Sequence, residues 1–160
     1  LGLLGACLII GLVGWAWIFG LGVHFFGKEY LATSAPMVGV LGAALGAYTL
    51  VSVSLGFLLG QLGLGDNATN AIANIGGMVM SVLGGAWISV DMLPDAVVAF
   101  SRFTPGYWAA RAITGLHDAA SISSDTILPL LADCGVSALF AVALLSVGIA
   151  VGRTRARSAL

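Results

Sequence analysis

Long apolar runs separated by short polar breaks make up most of the chain. Residues 1–27 and 30–65 carry no formal charge. A membrane-spanning helix needs about 20 apolar residues, and one helix over the second run would reach about 54 Å, well beyond a hydrocarbon core of about 30 Å. Pro36 provides a natural start for a shorter helix inside that run. The pattern therefore predicts a first span over 2–26 and a second over 37–61.

Two further apolar runs follow a polar turn. The third runs from Thr69 to Asp91, and Pro94 closes it. The last is uncharged from Cys134 to Gly152 and is followed at once by a cluster of arginines. These runs predict a third span over 69–91 and a fourth over 133–152.

The segment 93–124, between the third and fourth spans, has a different pattern. Leu93-Pro94-Asp95 opens a short helical pattern, and Thr104-Pro105 breaks it. Proline fits the first position of a helix, so a second short helix is expected to begin there, with Thr104 as its cap. Each helix would have about 10–12 residues, too few to cross a bilayer. The segment therefore predicts a re-entrant or interfacial helical hairpin.

Composition confirms the membrane interpretation and excludes several classes of protein. Of 160 residues, 59% are hydrophobic and 8% are charged, whereas soluble domains carry about 25% charged residues. This excludes a soluble enzyme, a nucleic-acid-binding protein and a disordered tail. The expected fold class is an all-α membrane protein with four transmembrane helices and the outer hairpin, forming a single membrane domain over 1–160.

The basic residues set the expected orientation. Arg153, Arg155 and Arg157 directly follow the fourth span. Because basic residues favour the cytoplasmic side, the tail 153–160 is expected to be cytoplasmic and the hairpin to lie outside the cell. The predicted location is the inner or plasma membrane, with a multi-pass topology.

A polar stripe opens the third span. Asn70, Asn74 and Ser81 fall on one face of the predicted helix. Amide groups facing lipid are costly, so this face should meet water or other helices. Two interpretations stay open, the wall of a translocation path and an ordinary helix contact.

Asp133 is the acidic residue closest to the interior of an apolar run. Carboxylates inside membranes are functional candidates. Asp133 could instead cap a helix that starts at Cys134, since the following run is long enough to span, and this cap interpretation is favoured.

The sequence offers no catalytic or metal-binding constellation. No group of His, Cys and acidic residues has metal-ligand spacing, and no glycine-rich phosphate loop is followed by Lys-Ser/Thr. The chain is therefore expected not to be an enzyme and to bind no cofactor itself.

The hairpin region resembles the ABC-2 type exporter permeases. The resemblance rests on the Gly84-Gly85-Ala-Trp87 group, Leu93-Pro94, the Ser101-to-Pro105 spacing, the aromatic pair Tyr107-Trp108 and Arg111. Many members of that family carry a proline soon after the glycine–aromatic group, and this chain does not. The resemblance therefore leaves open how the third span ends.

The resemblance implies a transport role. Such permeases have six spans, of which this chain would supply the last four, so further residues are expected before Leu1. They work as dimers, with a second permease copy or a homologue, in the lipid bilayer. An ABC ATPase subunit hydrolyses ATP for them. The expected function is export of a drug-like, lipid or other amphipathic substrate. The alternative is a fragment of an ion-coupled secondary transporter, which would require intramembrane carboxylates and broken helices.

The hairpin is the candidate outer gate. The residues proposed to form it are Pro94, Pro105, Tyr107, Trp108 and Arg111. Tyr107 and Trp108 would anchor it at the level of the lipid headgroups, while Arg111 would pair with an acid near in sequence. Arg111 could instead be a fixed anchor on lipid headgroups, and both interpretations stay open.

Overall fold

The computed structural model describes residues 2–85, 87–88, 90–118 and 123–158. Within these ranges the side chains of 2–4, 7–8, 18–19, 26–36, 91 and 158 are not described. The described residues form helices and no strands. The five α-helices are α1 (Gly2–Gln61), α2 (Asp66–Leu83), α3 (Asp95–Ser101), α4 (Pro105–His117) and α5 (Ser124–Ser158), with a 3-10 turn over Val90–Met92.

The helical range α1 consists of two antiparallel limbs. The first limb lies before the reversal of the chain, and the second limb is Met37–Gln61. A Cβ added at Gly42 would lie 3.2 Å from the Trp15 ring, and one added at Gly11 would meet Thr49. In a straight helix, residues 15 and 42 would be about 40 Å apart. The chain must therefore reverse between residues 25 and 37, where the sequence predicts the break between its first two spans.

The second limb of α1 and α5 pack side by side in parallel. The buried positions Val40, Ala44, Ala47 and Val51 recur at alternating intervals of four and three residues. Small residues in this pattern let two helices approach closely. Val40 shares a core cluster with Leu130 of α5, and Phe57 lies beside Gly148 farther along. The two helices therefore keep the same direction throughout.

At one end of this helix pair, the side chain of Arg155 binds the C-terminal end of α1. Its guanidinium donates a hydrogen bond of 2.9 Å to the carbonyl oxygen of Gln61, the last residue of α1. Helix ends leave such carbonyls without intrahelical partners. Gly63 has a φ of +61, which turns the chain after α1, and it lies within contact distance of the Arg155 guanidinium. The turn after α1 and the C-terminal arginines thus share one end of the bundle.

Gly63→Ala should destabilise the chain by about 1–2 kcal/mol, since a Cβ there meets both a left-handed backbone and the Arg155 guanidinium. Gly65→Ala is the matched control, because its φ is −65 and no atom lies within 4 Å of its added Cβ. The free energy of unfolding of both variants is measured by titrating dodecyl sulfate into mixed micelles and following the loss of helix by circular dichroism. Equal losses for the two variants would contradict the role of this turn.

The third predicted span ends earlier than expected. The sequence predicts 69–91, but α2 ends at Leu83 and a turn at Gly84-Gly85 follows. The Gly85 φ of +81 lies in a region that favours glycine, so the helix stops there. The apolar residues after it, which the hydrophobic pattern assigned to the span, lie in bends and a 3-10 turn.

The hairpin segment contains two short helices, α3 with seven residues and α4 with 13, and the break between them lies at Thr104-Pro105 as predicted. Pro105 is the first residue of α4, as predicted. Thr104 is the N-cap residue of α4, as predicted, but its hydroxyl donates to the Ser101 carbonyl oxygen at 2.7 Å and makes no capping bond to α4. Thr104 therefore closes the end of α3. Residues 119–122, near the end of the predicted hairpin, lie outside the described residues.

Among the residues that the structure describes, two stretches are long and apolar enough to cross a membrane, Met37–Gln61 with 25 residues and Ser124–Arg157 with 34. In their most apolar windows only 28% and 22% of the residues are buried within the chain. The central helix of a soluble domain would be mostly buried, so the exposed apolar faces are compatible with lipid. The all-helical class is confirmed. The fourth predicted span, 133–152, lies within α5, which begins nine residues before it, at Ser124.

Candidate functional site

An ion pair joins α4 of the hairpin to α5. The Arg111 Nε of α4 lies 2.9 Å from the Asp133 Oδ2 of α5. Only 6% of the Asp133 side chain is exposed, against 50% of the Arg111 side chain. The carboxylate is therefore buried between helices, while the guanidinium stands at the boundary of the packed region.

The Arg111 side chain also lies over an aromatic ring. Its Cζ is 5.1 Å from the Trp108 ring centroid, within the range of a cation–π contact. The Trp108 indole N–H donates to the Arg102 carbonyl oxygen at 2.8 Å, which fixes the ring against the end of α3. The guanidinium is thus held from two directions, by the buried carboxylate and by a fixed indole.

The favoured interpretation of Asp133 as a helix cap is wrong. Asp133 lies inside α5, because the helix runs through it from Ser124. The sequence interpretation failed because it took the apolar run as the whole helix, whereas α5 continues through Pro129 into the preceding polar residues. Arg111 pairs across helices with this residue and not, among the described side chains, with the nearby Asp95 or Asp118.

A cavity of about 600 Å³ opens beside the guanidinium. Its lining combines aromatic, apolar and polar groups, among them Trp87, Val90, Tyr107, Arg111 and Asp118. Ligand pockets for small molecules usually have about 300–1,000 Å³ and a few polar groups on an apolar wall. The size of this cavity fits that description, and polar groups make up more of its lining than is usual.

A smaller cavity of about 200 Å³ lies between α1, α2 and α4. Ser81, one of the three predicted path residues, lines it together with Tyr48 and Ala109. Gly84 and Ala110 line both cavities, so the two adjoin at these residues. The two neighbouring cavities, which together we call the cleft, lie between Arg111 of α4 and Ser81 of α2.

The other two predicted path residues lie farther along α2. Asn70 and Asn74 are exposed and line neither cavity. The whole of α2 contains no buried residue, so its polar face is not covered within this chain. The structure thus brings Ser81 to the cleft and leaves the two amides on an open helix surface.

The remaining hairpin residues occupy different surroundings. Pro94 is exposed at the start of α3, where its carbonyl oxygen accepts hydrogen bonds from the Val97 and Val98 amides. Pro105 is buried, and Tyr107 is only 7% exposed. The sequence predicts Tyr107 as a headgroup anchor, but the ring packs inside the chain because α4 inserts between other helices.

The sequence analysis missed Ser137, which completes the contact between α4 and α5. Its hydroxyl is fully buried and donates to the Pro105 carbonyl oxygen at 3.2 Å. Asp133 and Ser137 are four residues apart and so face the same side of the helix. That spacing of polar residues in an apolar run was the signal that could have identified the face of α5 that receives the hairpin.

Within the part of the chain that the structure describes, no three His, Cys, Asp or Glu side chains come together to hold a metal ion. Comparison with models of protein families, with curated proteins and with solved structures finds no match.

Proposed function

We propose that this chain is the transmembrane permease part of an ATP-driven exporter of the ABC-2 type, which moves a drug-like, lipid or other amphipathic substrate out of the cell. The observation that carries the proposal is the hairpin. Two helices too short to cross a bilayer, α3 and α4, lie in the chain between α2 and the long apolar helix α5. This arrangement agrees with the motif over residues 81–111.

The packing of α4 supports a re-entrant position. Its buried residues Ala112 and Leu116 pack against the second limb of α1 and against α5, the two helices able to span. Pro105, at its start, is bonded to Ser137, about one helical turn farther along α5 than Asp133. In this proposal the hairpin enters the bundle as far as Ser137 and then returns.

The expected orientation places the ion pair near the outer boundary of the membrane. Asp133 and Arg153 are 20 residues apart in one helix, or about 30 Å, which equals the thickness of a hydrocarbon core. With Arg153 at the cytoplasmic boundary, the Arg111–Asp133 pair lies at the outer boundary. The four-span architecture follows if the first limb of α1 and α2 also cross.

In this proposal the cleft between α2 and α4 is part of the translocation path, and the hairpin closes its outer end. Ser81 lines the cleft inside the bundle, and Asn70 and Asn74 extend the polar face toward the cytoplasmic end of α2. The open surface of α2 leaves room for a second permease copy to complete the path. An ABC ATPase subunit supplies ATP hydrolysis, and alternating access is a population shift between two states.

A buried carboxylate in an apolar helix also favours the alternative, an ion-coupled secondary transporter. Asp133 is that carboxylate, but it is engaged by Arg111, and α5 continues unbroken through it. The two functions differ in their energy source. Export that depends on ATP and on a copurifying ATPase supports the permease, and substrate movement driven by a proton or sodium gradient alone supports the alternative.

Thiol labelling in intact cells tests the topology. With the native cysteines replaced by serine, Ser123→Cys should react with a membrane-impermeant maleimide, and Ala156→Cys should react only after the membrane is opened. Both positions are exposed at opposite ends of α5, so they form a matched pair. Reversed labelling, or equal labelling of both, would contradict the orientation on which the exporter assignment depends.

A further inference from the structure

We propose that the cavity beside Arg111 is a binding site for the carboxylate of an amphipathic molecule with an aromatic or aliphatic body. The inference rests on the proposed export function for its biological role, but the site itself is argued from geometry. It assigns Arg111 as the group that recognises the ligand and Asp133 as the residue that positions it.

The first argument is the way in which the guanidinium is held. A guanidinium carries five N–H donors in a rigid plane, and Asp133 engages it at Nε. Half of the Arg111 side chain remains exposed, so donors remain on the edge away from the carboxylate. Because Asp133 already holds the guanidinium in one orientation, its free N–H groups are positioned to bind the two oxygens of a ligand carboxylate. This preorganisation lowers the entropy cost of binding.

The second argument is the shape and lining of the cavity. Arg111 lies on its wall together with Tyr107, Trp87 and Val90, so apolar surface adjoins the charged group. The Trp87 ring is 68% exposed. An aromatic or aliphatic body could cover that ring while its acid reaches the guanidinium. The volume of about 600 Å³ fits a molecule of drug size rather than a free inorganic ion.

The third argument concerns the charge of the ligand. Asp133 already balances much of the Arg111 charge, and Asp118 on the cavity wall adds a further negative charge. A dianion such as a phosphate monoester would be repelled by these carboxylates. A single carboxylate gains two charge-assisted hydrogen bonds and adds only one negative charge. The site therefore favours a monoanion over a dianion.

Three pyrene probes with the same body and different ends test the site. The chain in phosphatidylcholine nanodiscs is titrated with pyrenebutyrate, pyrenebutanol and pyrenebutylamine, and energy transfer from tryptophan to pyrene is measured against empty nanodiscs. Trp87 and Trp108 lie at the site, so a bound probe should quench them. We expect the carboxylate to bind at least tenfold more tightly than the alcohol, and the amine no more tightly than the alcohol.

Variants separate recognition from folding. Arg111→Lys keeps a positive charge beside Asp133 but lacks the planar fork, and it should lose most of the preference for the carboxylate. The double variant Arg111→Gln/Asp133→Asn removes both charges together and should abolish that preference. Arg102→Gln is the matched control, because Arg102 is an exposed arginine of the same hairpin that does not line the cavity.

The outcomes distinguish this inference from the proposed function. Equal binding of the three probes, tighter binding of the amine, or a preference that survives in the double variant would overturn the carboxylate site. Binding with the expected preference supports it even if no ATP-dependent export is found, in which case the exporter assignment alone fails. Export that persists without any carboxylate preference would overturn the site and leave the exporter assignment standing.

Discussion

Arg111→Met should destabilise the folded chain by about 3 kcal/mol, more than Asp133→Leu does. Removing the arginine leaves a carboxylate with 6% of its side chain exposed and no opposite charge, and breaking a buried pair in this way costs about 3–5 kcal/mol. We expect the lower end of that range because Arg111 is half exposed. Removing the aspartate leaves an arginine that can turn to water or headgroups, so the cost should be about 1 kcal/mol.

The double variant Arg111→Met/Asp133→Leu should lie within about 1 kcal/mol of the wild-type chain, since apolar residues of similar size often replace a buried ion pair without loss. Dodecyl sulfate titration in mixed micelles, followed by circular dichroism, gives all three values. Arg102→Met is the control and should change the free energy of unfolding by less than about 0.5 kcal/mol, because its side chain is exposed. A larger loss for Asp133→Leu than for Arg111→Met would show that the arginine, not the aspartate, depends on the pair.

The helical class and the break between the two short helices could be predicted from the sequence because each depends on local signals. Apolar runs without charges give long helices, and proline at a first helical position gives the break at Pro105. The early end of α2 could not be read from hydrophobicity. It depends on Gly84 and Gly85, whose role as a helix stop competes with an apolar pattern that continues past them.

The ion pair was missed for a different physical reason. Both of its residues were recognised as candidates, but nearness in sequence favoured acids of the hairpin itself as partners of Arg111. The pairing is set by the packing of α4 on α5, a contact between residues 22 positions apart. Since the sequence pattern gave a shorter fourth helix, Asp133 was assigned to its cap and not to the face that receives α4. A correct length for α5 would have placed Asp133 and Ser137 together on that face.

Gly84→Val should remove the contact between α2 and α4 and destabilise the chain by about 2 kcal/mol. A Cβ at Gly84 would lie 3.1 Å from both the carbonyl carbon and the carbonyl oxygen of Gly106, and backbone atoms of a buried helix start cannot turn aside. The cost is that of overpacking, about 1–3 kcal/mol. Backbone strain does not contribute, because the Gly84 φ of −78 is open to any residue.

Gly77→Val is the control on the same helix, since no atom lies within 4 Å of its added Cβ and valine is a better helix former than glycine. It should be neutral or slightly stabilising in the same micelle titration. No residue of α2 is buried within this chain. The close contact between Gly84 and Gly106 therefore holds α2 beside the cavity that Ser81 lines. Gly84→Val should therefore also increase the distance between spin labels placed at the exposed positions Met78 and Ile113. The contact between α2 and Gly106 would be contradicted if the Gly84→Val and Gly77→Val variants had the same spin-label distance and the same free energy of unfolding.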